Sequence, residues 1–458
     1  MMKRVLSVGL FTLLATLGTT AFAKLPDPGP YHTNGVEYPL PIGDGFWVGG
    51  GADGNWDDAA NWQNGIMPDA THTAYMNGVE NTDTYFTHDW NIFGLVFSSN
   101  AGSFGISSDS TLMLGAGGIG VYSTSTQRLF TNVKLMADQT WDIAQGPLIF
   151  DGSLNGNGKS LTKTGGQTLT FTGNAANTNI GAFNVMAGSV ILNKSAGVTA
   201  IAGDLNIGNA AVELGNDEQI ADTSNVTITD GLGKLDLQGH NETIGSLSGT
   251  GNVLLGSGTL NVAGPNSTTY SGKISGTGGL TKSGTGTLTL SGINTYKGDT
   301  TISGGTLQLG THNAISNSSA LVMSGGRLAT NGFNQTMGIL TLTADSTIDM
   351  SGGNSILSFA NSSGASWNNS STLTITGWNG SLTGGGAEQF LIGASGLNAS
   401  QLALIKFFNP AGLAPGIYDA MMLANGEIVP VPEPATIGLG ALLLGLLAKR
   451  RRMKQLKK

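Results

Sequence analysis

The strongest constraint on what this chain can fold into is a recurrence of short polar–apolar strings at a spacing near 21 residues. LTKTGGQTLTFTG (161–173), NVLLGSGTLNVAG (252–264) and LTKSGTGTLTLSG (280–292) align without gaps, sharing Gly at the fifth position and Thr-Leu at the eighth and ninth. A second string recurs as GAFNVMAGSVILN (181–193), GDLNIGNAAVELG (203–215) and GDTTISGGTLQLG (298–310), and partially as LVMSGGRLATN (321–331). Its first core position falls at Val185, Ile207, Ile302 and Met323, with Ile228 in a looser copy, so the intervals 185→207, 207→228 and 302→323 are 22, 21 and 21 residues.

Within the strings, Thr287-Leu288-Thr289-Leu290 and Thr306-Leu307-Gln308-Leu309 alternate polar and apolar residues, the pattern of a strand with one buried face. Gly-Gly, Ser-Gly and Asn-Gly steps end each strand after about four or five residues. No amphipathic helix separates them, which excludes a βαβ architecture. A period near 21 holding two or three short strands is one turn of a solenoid. Leu288, Leu290, Ile302, Leu307 and Leu309 then point inward and stack coil on coil, because one coil cannot bury its own apolar face. Composition agrees. Gly supplies 72 of 458 residues without a collagen period, and charged residues reach only 11 %. With no Cys, neither a disulfide framework nor a Cys-ligated metal is available.

The stretch ISGTGGLTKSGTGTLTLSGINTYKGDTTISGGTLQLG (274–310) resembles the autotransporter-associated β-strand repeat, with drifted copies at 161–193 and 252–276. That resemblance implies a right-handed parallel β-helix. The expected fold is therefore all-β, a solenoid of about 21–22 residues per coil across 101–392. A Trp-rich cap is expected over 24–100 and a cap segment with a short helix over 393–429. The cap reading rests on Trp47, Trp56, Trp62 and Trp90, in a G-x-W-x-x-x-x-N-W context (Gly54 to Trp62) that resembles the opening of bacterial exported repeat proteins. Covering the first coil protects an open sheet edge. At the other end Asn398-Ala399-Ser400-Gln401 has the form of a capping box ahead of Leu402, Leu404 and Ile405.

Both termini read as addresses. Lys3 and Arg4, the apolar run Val5–Leu17 and Ala21-Phe22-Ala23 make a secretory signal (1–23) cleaved after Ala23. At the other end (430–458), Val431-Pro432-Glu433-Pro434-Ala435-Thr436 precedes the twelve apolar residues Ile437–Ala448 and then Lys449-Arg450-Arg451-Arg452. Twelve helical residues reach about 18 Å, short of a ~30 Å bilayer core. The basic cluster favours the cytoplasmic side, leaving the body outside. This tripartite tail resembles the PEP-CTERM sorting signal of exported Gram-negative proteins. The resemblance implies an exosortase-type membrane processing enzyme as partner, a transient inner-membrane anchor, and a link to exopolysaccharide. The expected destination is the cell surface, outer membrane or extracellular matrix.

Nine of the 21 basic residues lie at the two ends, leaving twelve against 29 acidic ones in the body, which excludes nucleic acid as a partner. Motifs for chemistry are sparse. His32, His72, His88, His240 and His312 are never three to five residues apart. Asp53, Asn55 and Asp57 have the 1-3-5 spacing of a calcium loop, but Asp58 and Asn64 replace its Gly and bidentate Glu. There is no G-x-S-x-G, H-E-x-x-H or P-loop, so neither catalytic residues nor a cofactor are expected. Asp204 is expected to stack on Asn225 one coil later, which gives no carboxylate pair. The sequence therefore reads as an exported structural solenoid associated with extracellular polysaccharide or biofilm matrix. The alternative is a carbohydrate-binding or polysaccharide-cleaving β-helix. For glycan stacking the candidates are Trp56, Trp62 and Trp90, with Trp367 and Trp378 behind them. Aromatics and acids clustered in an outer groove would favour that alternative, and uniform Thr/Ser/Asn/Gly ladders the scaffold.

Overall fold

A computed structural model describes residues 43–393 and 395–432, and their regular structure is almost entirely β. The period-2 strings become short strands, among them Leu161–Thr164, Thr168–Phe171, Ala182–Val185 and Ser189–Leu192. Each pairs in parallel with a strand one coil later, so that Leu161 lies beside Phe183, Phe183 beside Leu205, Leu205 beside Val226 and Val226 beside Leu247. Parallel pairing between successive coils, without helical crossovers, makes the parallel β-solenoid that the repeat predicts.

The coil has three faces. A first-face ladder runs unbroken from Gly45–Trp47 to Ile405–Phe408. The second runs from Asp83–Tyr85 to Lys273–Ser275 and returns in Gln335–Met337, Ile356–Phe359 and Gln389–Leu391. The third links Trp90, Leu112, Val133 and Leu154 in the early coils and is regular from Glu242–Ile244 to Leu340–Ala344. Leu288, Leu290, Ile302, Leu307 and Leu309 are all buried, as their alternation predicts.

Matching strings do not share a face. The first strand of 161–173 lies on the first face, that of 252–264 on the second and that of 280–292 on the third. Likewise Val185, Ile207 and Ile228 stack on the first face, whereas Ile302 and Met323 stack on the third. Alternation followed by a glycine turn specifies strand, corner, strand, and nothing in it says which face comes first. Coil length varies too: Leu288 pairs with Leu307, 19 residues on, and Ile375 with Phe407, 32 residues on.

Glycine is required where corners stack backbone on backbone. A Cβ on Gly278 would lie 1.7 Å from the Gly258 carbonyl oxygen, and one on Gly298 would lie 2.5 Å from the Gly278 carbonyl carbon. The interior also carries polar side chains that serve backbone groups at the corners. Asn177, Gln219, Asn294 and Gln335 each accept from a backbone N–H of the preceding coil, at Leu154, Lys194, Ile274 and Ile315. Glu242 accepts from the N–H groups of Gln219 and Ile220 at 2.8 and 3.1 Å. Lys163 is wholly buried and donates to the carbonyls of Gly165, Gln167 and Ala187 at 2.6–2.8 Å. Its counterpart Lys282, also buried, donates to Gly284. These bonds satisfy groups that would otherwise be stranded in an apolar interior.

The ends depart from expectation in two respects. The expected capping box is present, with Asn398 and Gln401 bonded reciprocally, but the helix Ala399–Ala403 is one turn that leads into the last parallel strand. Closure comes instead from chain reversal. Ile417–Met422 pairs antiparallel with Ile405–Phe408, and Ile428–Pro430 pairs antiparallel with Ile417–Met422. Pro430, the first residue of the segment read as the tail, ends this strand opposite Ala420, and the Val431 N–H donates to the Asp419 carbonyl. A proline fits there because no ladder bond needs its missing N–H. At the other end, parallel rungs already join Thr73–Met76 to Trp90–Phe97, so the solenoid begins within the segment read as a cap.

Candidate functional site

Of the residues singled out from sequence, Trp56, Trp62 and Trp90 are brought together, but inside the molecule. They are 0, 1 and 8 % exposed. The Trp56 ring meets Trp62 and Trp90 edge to face at 5.5 and 5.3 Å, and Trp62 Nε1 donates to the Trp56 carbonyl at 2.8 Å. Trp47 joins the cluster across Trp62. The glycan-stacking reading of these rings is therefore corrected: the faces a sugar would need are occupied by other rings, an arrangement that closes the end of the core. Trp367 and Trp378 are buried as well.

The Asp53–Asp58 stretch does not form a calcium loop. Asp53 Oδ1 accepts from the Asn55 N–H, Asn55 Oδ1 from Asp57 and Asp58 Oδ1 from Ala60, so the side chains cap successive turns. Among the described residues no group of three or more His, Asp or Glu is placed to hold a metal ion. His72, His88 and His240 each face a single aspartate, and His312 accepts from the Asn334 N–H. Asp204 does stack on Asn225, accepting from its N–H and Nδ2 at 3.0 Å. Sequence reasoning missed one pair of facing carboxylates, Glu213 and Asp236, which are in register on the second face. Lys234 sits 3.0 and 3.5 Å from them, an ion trio and not an acid–base pair.

Outside, the middle coils carry a polar ladder. Thr162, Asn184, Asn206, Thr227 and Ser248 stand in register on the first face. Asn206 Nδ2 reaches Asn184 at 2.9 Å, and Thr227 and Ser248 share a hydrogen bond of 2.9 Å. Thr168 and Ser189 repeat the motif on the second face at 2.8 Å. Two grooves interrupt this regularity. One, about 290 Å³, lies among Thr287, Thr306, Gln308, Arg327, Asn331 and Asp349, where Arg327 is paired with Asp349. Burial pushes the Asp349 carboxyl up, but Ser351 and Arg327 together bring it below its ordinary value. The other, about 480 Å³, lies near the N-terminal end and includes Tyr85 and Phe130.

The tail supplies little geometry. Val431 is half-buried and Pro432 exposed, whereas Glu433, Pro434, Ala435, Thr436 and Arg450–Arg452 lie outside the described residues, as do Ala21 and Ala23. Among the described residues no helix is long and apolar enough to cross a membrane.

Comparison with known proteins bears on the coils. Residues 161–192 and 280–309 match the family described as Passenger-associated-transport-repeat. The chain is similar to the Adhesin BmaC autotransporter of Brucella suis biovar 1 (strain 1330), 32 % identical over 286 residues. That match covers 57 % of this chain but only 8 % of the adhesin, so the chain spans a small part of its relative's length. No solved structure matches the chain.

Proposed function

We propose that this protein is an exported, surface-destined structural β-solenoid that associates with extracellular polysaccharide or a biofilm matrix and serves as a scaffold, not an enzyme. The observation that carries this reading is the outer surface of the middle coils. There hydroxyl and amide side chains stand in register from coil to coil over a closed core. Such a surface offers repeated donors and acceptors to a hydrated polymer and no converging acid, base and nucleophile. Likeness to part of an autotransporter adhesin supports a surface role for coils of this kind.

Export and sorting follow from the termini. The secretory signal carries the chain through the inner membrane. The run Ile437–Ala448 then holds it there, with Arg450–Arg452 on the cytoplasmic side. The triplet Pro432-Glu433-Pro434 lies just beyond the last described strand, and its prolines favour an extended backbone that a membrane-embedded processing enzyme of the exosortase type can engage. Replacing the triplet with Ala should leave the solenoid folded and trap the full-length chain in the inner membrane. Intact-mass measurement on natively exported protein tests the reading. A mature species still carrying Ile437–Lys458 would refute the sorting step and leave a simple tail anchor.

A further inference from the structure

The N-terminal groove is built differently from the rest of the surface. On the second face Tyr85 pairs with Ser107 and Ser107 with Phe130, so two aromatic residues stand two rungs apart with a small residue between them. At the usual strand spacing this separates their Cα positions by about 9.5 Å. Phe130 is 47 % exposed, and beneath it Gly105 has no side chain, its Cβ direction opening toward the Phe130 ring and Asp83. Next to Ser107 the register slips, because Ser107 and Thr111 face Phe130 and Asn132. Ser108, Asp109 and Ser110 stand against the single residue Thr131 and bulge at the groove's edge, a device that re-aims side chains next to sites.

The cap fixes the other wall. Tyr85 donates its phenol proton to Asp53 Oδ2 at 3.0 Å, and Thr87 donates to Asp57 Oδ2 at 3.3 Å. Asp53 and Asp57 are held by the chain of turns described above, so the calcium-like spacing has another use: it positions Tyr85. The exposed Phe130 ring and the half-buried Tyr85 ring suit the C–H faces of a pyranose, and the surrounding hydroxyls and carboxylates suit its hydroxyl groups. Asp109 lines the groove, and Asp53, Asp57 and Asp83 stand beside Tyr85, Thr87 and Gly105, while the basic groups at its edge are Arg128, paired with Gly105, and His88, beside Asp57. This balance repels a polyanion.

We propose that the groove between Tyr85 and Phe130 is a binding subsite for a neutral oligosaccharide. The proposal deepens the reading of a polysaccharide-associated scaffold, and it can fail while export and surface placement stand. The test is calorimetric titration of the whole exported protein with three probes: a β-1,4-linked glucose hexasaccharide, an N-acetylglucosamine hexasaccharide and an oligogalacturonate. Binding of at least one neutral probe is expected, with the acidic probe weaker. Phe130→Ala should weaken binding at least about fivefold, the size of one lost aromatic contact. Ser107→Trp, which fills the floor from an exposed position, should abolish it, while Lys273→Ala, an exposed position far along the same face, should leave it unchanged. Circular dichroism checks that each variant is folded. No binding of either neutral probe, preference for the acidic one, or indifference to both groove variants would overturn the proposal.

Discussion

Residues 161–192 and 280–309 have the same pattern and occupy different places on the coil. In the earlier copy the strands Leu161–Thr164 and Thr168–Phe171 lie on the first and second faces. In the later copy Leu280–Lys282 and Thr287–Leu290 lie on the third and first. The interior chemistry is nevertheless conserved between them. Lys163 and Lys282 both turn inward, and each donates to the carbonyl of the glycine two residues on. What the repeat encodes is thus a strand–corner–strand unit with its own internal bonds, and its face is set by the lengths of the coils that precede it.

If the two copies are equivalent units, equivalent substitutions should cost the same. Leu169→Asp and Leu288→Asp each bury an unpaired charge and should each cost roughly 4 kcal/mol or more. Comparing the loss of hydrogen-exchange protection in the strands on either side would reveal it. A large difference between the variants would break the equivalence.

A second prediction concerns the coils between the copies. Burial raises the Glu242 carboxyl to about 8, with the charges of Glu218 and Asp222 adding to the rise and the N–H groups of Gln219 and Ile220 opposing it. A carboxyl raised in the folded state keeps its proton there after losing it in the unfolded chain. Its contribution to stability is complete below pH 4.5 and is lost as pH climbs to about 8. Burial lowers Lys163 and Lys194 to about 8, partly offset by Asp142 and Asp151. These lysines shed their protons in the fold first, so stability recovers from about pH 8 toward 10.5. Urea midpoints across pH should show a minimum near 8 that is worth up to a few kcal/mol. Glu242→Gln should flatten the acid side of it and leave the alkaline side.

The lysines themselves sharpen the comparison. Lys163→Met strands three carbonyls and should cost about 2–3 kcal/mol, whereas Lys282→Met strands one and should cost about 1 kcal/mol. Equal losses would mean that the ammonium's own desolvation, and not its carbonyl partners, sets the balance. The smallest effect belongs to the outer surface. Thr287→Asp points away from the core and should change the stability read from urea unfolding by less than about 1 kcal/mol. A shift matching that of Leu288→Asp would place the strand in the wrong register.

The inward residues were legible because alternation fixes which side of a strand is buried, whatever face the strand joins. The reciprocal bonds of Asn398 and Gln401 were legible because a capping box is local. The rotation between copies was not, since it accumulates from coil lengths such as the 19 residues between Leu288 and Leu307. The reversal that pairs Ile428–Pro430 with Ile417–Met422 was not legible, because proline argues against a strand although a strand's last position tolerates it. Tyr85 and Phe130 lie far apart in sequence and belong to no motif. The available signal was parity: Phe130 alternates with the buried Leu129 and Thr131, which sends it outward.

The ladders have a mechanical consequence. Their hydrogen bonds run along the stack, so a pull between Gly43 and Pro432 loads the coils in series and no bond shares its burden with another coil. Tension therefore peels the molecule one turn at a time, and each turn of some 21 residues pays out about 70 Å of chain. At the trailing end the load first meets the antiparallel strands Ile417–Met422 and Ile428–Pro430, which makes that small reversal the clasp on a long extensible tether.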